Sequence, residues 1–117
     1  MAWEVLFHEE FEPEFYELPQ EAQDELLAYA KLLECESPHL KRPHADTLNS
    51  SSYDNVKELR FKAAGGVWRV AFAFDLKRQG ILLVAGDKAG TSQKRFYKQL
   101  IAKADKRFGE HLSRLQE

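Results

Sequence analysis

Arg60, Lys62 and Arg69 fall on alternating positions of two apolar-patterned segments, residues 56–62 and 67–75. If both are strands, these cations project from the face opposite Leu59, Phe61, Trp68, Val70, Phe72 and Phe74. Ala71 and Ala73 share the cationic face. Small side chains beside projecting cations make an open basic groove, and a guanidinium offers a two-pronged fork to phosphate. On this reading Arg69 stands clear of the core, and its loss leaves the fold intact. The opposing reading pairs Arg60 and Arg69 with Glu58 or Asp75 as cross-strand ion pairs.

Downstream, Gly86-Asp87-Lys88-Ala89-Gly90-Thr91-Ser92 leads from an apolar strand into a helix. Amides at a helix N-terminus favour an anion, and Lys88 is placed to reach it. An ordinary capped connection explains the same residues. A P-loop is excluded, because no Gly-Lys-Ser/Thr stands at the required spacing. Lys94-Arg95-Phe96-Tyr97-Lys98 interleaves bases with aromatics, which suits phosphates and stacked nucleobases. Phe96 opens an i+4 apolar stripe and belongs to the core. Tyr97 is one position off that stripe, so its ring can turn toward the cations. Lys57 adds a base to the same region. Lys103, Lys106, Arg107 and Arg114 read as a solvated helix face. Cys35, His39, His44 and Asp46 match no metal-ligand spacing, so neither a metal nor a cofactor is expected. His8 and His111 read as structural or exposed, and no Ser/His/Asp or Cys/His arrangement is legible.

The elements that must carry these side chains follow from periodicity. Residues 2–8 alternate, with Trp3, Val5 and Phe7 on one side, and form a short strand. Residues 11–18 make a short helix or helical turn. Pro19 suits the first position of a longer helix, with Glu21, Asp24 and Glu25 near its N-terminus. Leu26, Leu27, Ala30 and Leu33 form its buried stripe, and Ser37-Pro38 ends it. Residues 36–55 are a long connection with two prolines and a serine cluster. Three strands follow at 56–62, 67–75 and 81–86, and their short turns imply an antiparallel meander. Residues 92–115 form the last helix, on Phe96, Leu100, Ala104, Phe108, Leu112 and Leu115. Thr91 or Ser92 caps it, and Gly109 is a point where it can break. The expected fold is one α+β domain over residues 1–117, in the order β-α-α-β-β-β-α. A small twisted, mainly antiparallel sheet carries two N-terminal helices and a C-terminal helix, with its aromatic face under the helices.

With 44% hydrophobic and 31% charged residues, the chain has the make-up of an ordered globular domain. A single cysteine excludes an internal disulfide framework and fits a reducing cytoplasm. Apolar runs such as 81–85 are too short to span a bilayer, and the first residues lack the pattern of a signal peptide. Residues 1–55 hold 13 acids against three bases, a net −10, whereas residues 56–117 hold 14 bases against six acids, a net +8. Such a split points to one face for a polyanion and a separate acidic surface, although a dipolar solvated surface shows the same arithmetic.

The segments Arg42-Pro43-His44-Ala45-Asp46-Thr47-Leu48, Lys57-Glu58-Leu59-Arg60, Trp68-Arg69-Val70-Ala71-Phe72, Gly86-Asp87-Lys88 and Arg95-Phe96-Tyr97 resemble the RelE/ParE toxin superfamily, in its HigB-like, phage Gp49-like branch. The resemblance runs from the first strand to the last helix. It implies a RelE-like fold and the toxin of a type II toxin–antitoxin pair, a ribosome-dependent mRNA endonuclease that blocks translation. It places the catalytic roles on Arg60, Arg69, Lys88 and Tyr97, and the bases around them, Lys57, Lys62, Lys94, Arg95 and Lys98, are the expected RNA-binding residues. Many RelE relatives carry several bases after the last strand, where this chain has Asp87 and then Lys88. The implied partners are an antitoxin with a helix-turn-helix DNA-binding domain and mRNA on the ribosome, in the cytoplasm and away from membranes. RNA carries its own nucleophile, the 2′-OH, so an enzyme need only align it, assist its deprotonation and stabilise the pentacoordinate dianion. Arg60 and Arg69 would do the last, and Lys88 or Tyr97 would carry the proton, with no metal required. Two other readings share the fold: a ParE-like gyrase inhibitor without chemistry of its own, and an inactive relic that only binds an antitoxin.

Overall fold

Ala64 and Gly65 both take positive φ, 50° and 72°, the turn whose twist matches a right-handed hairpin. They join β3 (Val56–Ala63) to β4 (Gly66–Phe74) with Ala63 opposite Gly66. A second turn leads into β5 (Gln79–Asp87). There Asp75 Oδ1 accepts from the amides of Lys77 and Gln79, which lets Arg78 hold a φ of 61°. The computed structural model describes residues 3–36 and 45–115. The remaining elements are β1 (Glu4–Phe7), α1 (Phe11–Tyr16), α2 (Gln20–Glu36), β2 (Ala45–Thr47) and α3 (Gln93–Leu115).

The five strands lie in the order β1-β5-β4-β3-β2. The meander β3-β4-β5 is antiparallel as expected, and β1 adds to β5 in parallel. β2 pairs antiparallel with β3 and falls within the segment read as connection. Three residues, Ala-Asp-Thr, are too few for alternation to register. The expected helix end at Ser37-Pro38 lies outside the described residues.

The sheet is covered on both faces. On one, α1 and α2 bring Phe11, Phe15, Leu26 and Leu33 onto Leu59, Phe61, Trp68, Val70, Phe72 and Phe74. On the other, α3 lays Phe96, Leu100, Ala104 and Phe108 over Val56, Ala71, Ala73, Ile81 and Leu83. This corrects the expectation of helices on the aromatic face alone and of an open groove above Ala71 and Ala73. Both alanines are fully buried, and their small side chains serve to let α3 approach. A bulge between Ala71 and Phe72 turns Leu83 and Val84 together toward α3, which is why this strand reads as apolar on both faces. α3 also runs unbroken through Gly109. A Cβ there would stand 2.9 Å from the Tyr53 hydroxyl, so the glycine provides clearance.

Candidate functional site

Cross-strand register builds the site. Arg60 on β3 lies directly opposite Arg69 on β4, and Arg69 lies opposite Gly86 on β5. Glu58 is two residues before Arg60 and shares its face. α3 crosses above them because Gly86 leaves room for a ring: a Cβ at Gly86 would meet Phe96 Cε1 at 2.8 Å. With Phe96 seated there, Tyr97 is delivered onto the arginines. Its hydroxyl donates to Glu58 Oε1 at 3.0 Å and accepts from Arg69 Nε at 3.2 Å. Arg69 Nη1 donates to the Trp68 carbonyl at 3.0 Å. Glu58 Oε1 is also 3.5 Å from Arg60 Nε and 3.8 Å from Arg69 Nε.

The pairing reading therefore holds for Glu58, which bridges both arginines. It does not hold for Asp75, whose Oδ2 lies 2.8 Å from His111 Nε2. The two arginines differ sharply in access: side-chain exposure is 30% for Arg60 and 8% for Arg69. Burial pushes the Glu58 carboxyl above its ordinary range, against the pull of the Tyr97 hydrogen bond and the two guanidiniums. Burial also pushes the Tyr97 phenol up, reinforced by the adjacent Glu58 charge and opposed by Arg69. Glu58 Oε2 is buried with no hydrogen-bond partner among the described residues. Glu58 is the site residue that sequence reading assigned only to ion pairing. Its alternation with Arg60 was the available signal, since it placed both on one face.

A groove of about 930 Å³ opens on this cluster. Asp46, Thr47, Leu48, Asn49 and Ser50 form one wall, and Lys94, Tyr97, Lys98 and Ile101 of α3 form much of the other. Glu58 and Arg60 lie at its floor.

The sequence profile of the family described as "Phage derived protein Gp49-like" matches residues 13–109. The chain belongs to this family. Its relatives place this Gp49-like chain with the HigB-like toxins. It is 46% identical over 93 residues to a Mycobacterium tuberculosis protein named as toxin HigB3, covering 80% of this chain and 79% of that one. It is 40% identical over 101 residues to toxin HigB2 of the same organism, covering 86% of this chain but 50% of HigB2, about half its length. Among solved structures, a mutant of the E. coli toxin RelE in the free state superposes with a TM-score of 0.63 at 13% identity, over 88% of this chain and 97% of RelE. A chain of the archaeal RelE–RelB complex from Pyrococcus horikoshii gives 0.56 at 18% identity, over 78% of this chain and 100% of that one. At those identities the likeness is one of fold: the Gp49-like domain is RelE-like.

The other bases of this HigB-like chain are spread around the site rather than gathered in it. Lys94 and Lys98 line the groove. Lys62 is exposed on the Arg60 face at the hairpin end, opposite Val67. Lys88 sits beside the cluster, its Nζ 5.9 Å from the centre of the Tyr97 ring. Arg95 is exposed on the first turn of α3, outside the groove lining. Lys57 pairs with Phe72 and so belongs to the face under α2, away from the groove. The 86–92 loop is built as a capped connection. Asp87 Oδ1 accepts from the amides of Val67 and Ala89, and Ser92 Oγ accepts from the amide of Arg95. Cys35 is exposed, and His39 and His44 lie outside the described residues. His8 is buried and His111 half-buried. Arg107, read as solvated, is buried at 5% and joins α3 to α1 through paired bonds to Glu14 at 2.9 and 2.6 Å. Among the described residues, no helix is long and apolar enough to cross a membrane.

Proposed function

We propose that this HigB-like toxin is an mRNA endonuclease that acts on the ribosome by attack of the RNA 2′-OH on the adjacent phosphorus. The observation that carries the reading is the partly open Arg60 guanidinium at the floor of the groove, beside a buried carboxylate and a phenol on α3. Arg60 stabilises the charge that develops on the phosphoryl oxygens, and Lys94 and Lys98 hold the flanking phosphates. Arg69 sits behind Tyr97, where it compensates Glu58 and fixes the phenol. Glu58, with its raised pKa, is suited to take the proton from the 2′-OH. Tyr97 and Lys88 are suited to protonate the departing 5′-oxygen, since a phenol held above its ordinary pKa stays protonated at neutral pH. The products are a 2′,3′-cyclic phosphate and a 5′-hydroxyl end. The ribosome completes the alignment of a strand that the sparse groove alone holds loosely.

The partner of this toxin is an antitoxin with a helix-turn-helix DNA-binding domain, encoded beside it and docked outside the basic groove, where the acidic half of the sequence offers surface. Co-expression with the neighbouring small gene and pull-down tests the pair. Induced expression with mapping of mRNA 5′ ends tests the activity: new 5′-hydroxyl ends within translated regions support it. Intact mRNA with a DNA-damage response instead identifies a gyrase inhibitor.

A further inference from the structure

The two walls of the groove differ in kind. The α3 wall is cationic, with Lys94 and Lys98, and the wall made by β2 and the residues after it has no cation among Asp46, Thr47, Leu48, Asn49 and Ser50. Thr47, Asn49 and Ser50 are exposed, and the Asn49 and Ser50 side chains have no hydrogen-bond partner among the described residues. A volume of about 930 Å³ is at the upper end for a drug-sized ligand and exceeds the needs of a single base.

This wall, which carries the Asp46 carboxylate beside its uncharged polar groups, is also rigidly set. Leu48 N–H donates to the Val56 carbonyl at 3.0 Å, and Ser51 N–H donates to the Leu48 carbonyl at 3.2 Å. Asp105, on α3 but outside the groove, accepts from Ser51 Oγ at 2.5 Å and from the Ser52 amide at 2.8 Å. Ser51 Oγ in turn accepts from the Tyr53 amide at 3.1 Å, and the Tyr53 ring packs edge-on against Phe108, centres 5.1 Å apart. The helix that carries the cationic wall thus fixes the position of the opposite one.

We infer that the groove takes a single RNA strand in one orientation, phosphates along Lys94 and Lys98 and base edges against Thr47, Asn49 and Ser50, so that Asn49 selects the base and Asp105 is a positioning residue for that selection. The inference rests on the endonuclease reading. Phosphate contacts hold a strand without reading it, whereas a carboxamide presents a donor and an acceptor to a base edge. Losing one such contact loses about tenfold in discrimination. Asp105 touches no RNA and acts only by holding the wall at its width.

The test maps cut sites in a translation extract for the wild-type chain and for Asn49→Ala, Ser51→Ala, Asp105→Ala and Asp105→Asn. A wild-type base preference is expected to flatten about tenfold in Asn49→Ala. It is expected to flatten likewise in Ser51→Ala and Asp105→Ala, and to return in part with Asp105→Asn, which keeps one acceptor. A preference that Asn49→Ala and Ser51→Ala leave unchanged is set by the ribosome and overturns the inference. Wild-type cutting without base preference overturns it too, while the endonuclease stands. No cutting by the wild type removes the endonuclease reading and this inference together. Ser51→Ala deletes a single hydroxyl and keeps the test valid if Asp105→Ala fails to fold.

Discussion

Arg60 and Arg69 face one another directly across β3 and β4, yet one is open to the groove and the other is sealed beneath Tyr97. Two like charges in that register repel, and Glu58 Oε1, within 4 Å of both, compensates them. The pair therefore divides labour. Arg60 is available to a substrate, and Arg69 maintains the cluster.

This division changes what each substitution does. Arg60→Ala is expected to remove toxicity by about a hundredfold or more in cleavage rate, with a melting temperature close to wild type. Arg69→Ala takes from the buried Glu58 the enclosed one of its two cations and from the Tyr97 hydroxyl its donor, so it should melt below wild type as well as lose activity. The pattern of the strand alone implied that removing Arg69 spares the fold. Thermal melts and growth assays on both variants decide it. A melt of Arg69→Ala equal to wild type contradicts the assigned role.

The expected pH–rate profile follows from Glu58. A base works when deprotonated, so activity should fall as pH falls through the raised Glu58 pKa, above the ordinary 4.5. Glu58→Gln should remove that limb and reduce the rate by about 10²- to 10⁴-fold. Single-turnover cleavage across pH measures it. A Glu58→Gln enzyme that keeps both rate and limb would assign the proton to another group.

Much of the frame was legible because its signals are local. Alternation marked β3 and β4, the Ala64-Gly65 turn joined them, and the i+4 stripe separated the core residue Phe96 from Tyr97. The side of the sheet that α3 covers was not legible. Trp68, Val70, Phe72 and Phe74 are large enough to announce a core, whereas Ala71, Ala73 and Gly86 serve a second core by being small, and small residues read equally well as open surface. The pairing of Arg69 with Glu58 was one of two readings the strand pattern allowed, whereas the burial of Arg107 was hidden, because Glu14 becomes its partner only through the packing of α1 and α3. Lys57 was drawn into the basic set by sequence proximity, though strand parity assigns it to the opposite face.

Acid should loosen the joint between α1 and α3. Burial holds His8 below its ordinary 6.5, so its contribution to stability is full above that value and is lost as pH falls toward the folded pKa. The Arg107 hydrogen bonds and charge hold Glu14 below 4.5, so its contribution is lost as pH falls further, through its own lower pKa. Glu58 acts in the opposite sense, because its raised pKa means that folding is easier when it is protonated. Melting temperature is thus expected to decline in two steps below about pH 6.5. Glu14→Gln should weaken the lower step and His8→Gln the upper one. An acid profile in which neither variant moves its step would place the sensitivity elsewhere.

RNA affinity should depend steeply on salt, because each neutralised phosphate releases a counterion. Lys94→Ala and Lys98→Ala should each lower the slope of log affinity against log salt by about 0.7, the value for a single-strand contact. Lys57→Ala, on the other face of the sheet, should leave the slope unchanged. Anisotropy titrations of a labelled single strand measure all three. A Lys57 variant that lowers the slope as much as Lys94→Ala would move the strand out of the groove.

The sharpest structural test is Gly86→Ala. Phe96 lies so close over Gly86 that an added methyl would stand 2.8 Å from its ring, and the next residue is Tyr97. At Gly86 β5 is held by β4 through Arg69, while β1 pairs with it only as far as Leu82, and the ring and the first turns of α3 are expected to take up most of the shift. Such overpacking costs about 1–3 kcal/mol. The larger effect should be on the site. Tyr97 is held to Glu58 and Arg69 by hydrogen bonds of 3.0 and 3.2 Å, and a shift of an ångström breaks both. Misplacing a catalytic group that far typically loses about a hundredfold in rate. Gly86→Ala should therefore fold, melt slightly early and cleave poorly, although it touches no substrate. Phe96→Leu in the same chain removes the far edge of the ring and should return part of the activity. If Gly86→Ala cleaves at the wild-type rate, the seating of Phe96 does not position Tyr97, and the site is held by the Glu58 and Arg69 hydrogen bonds alone.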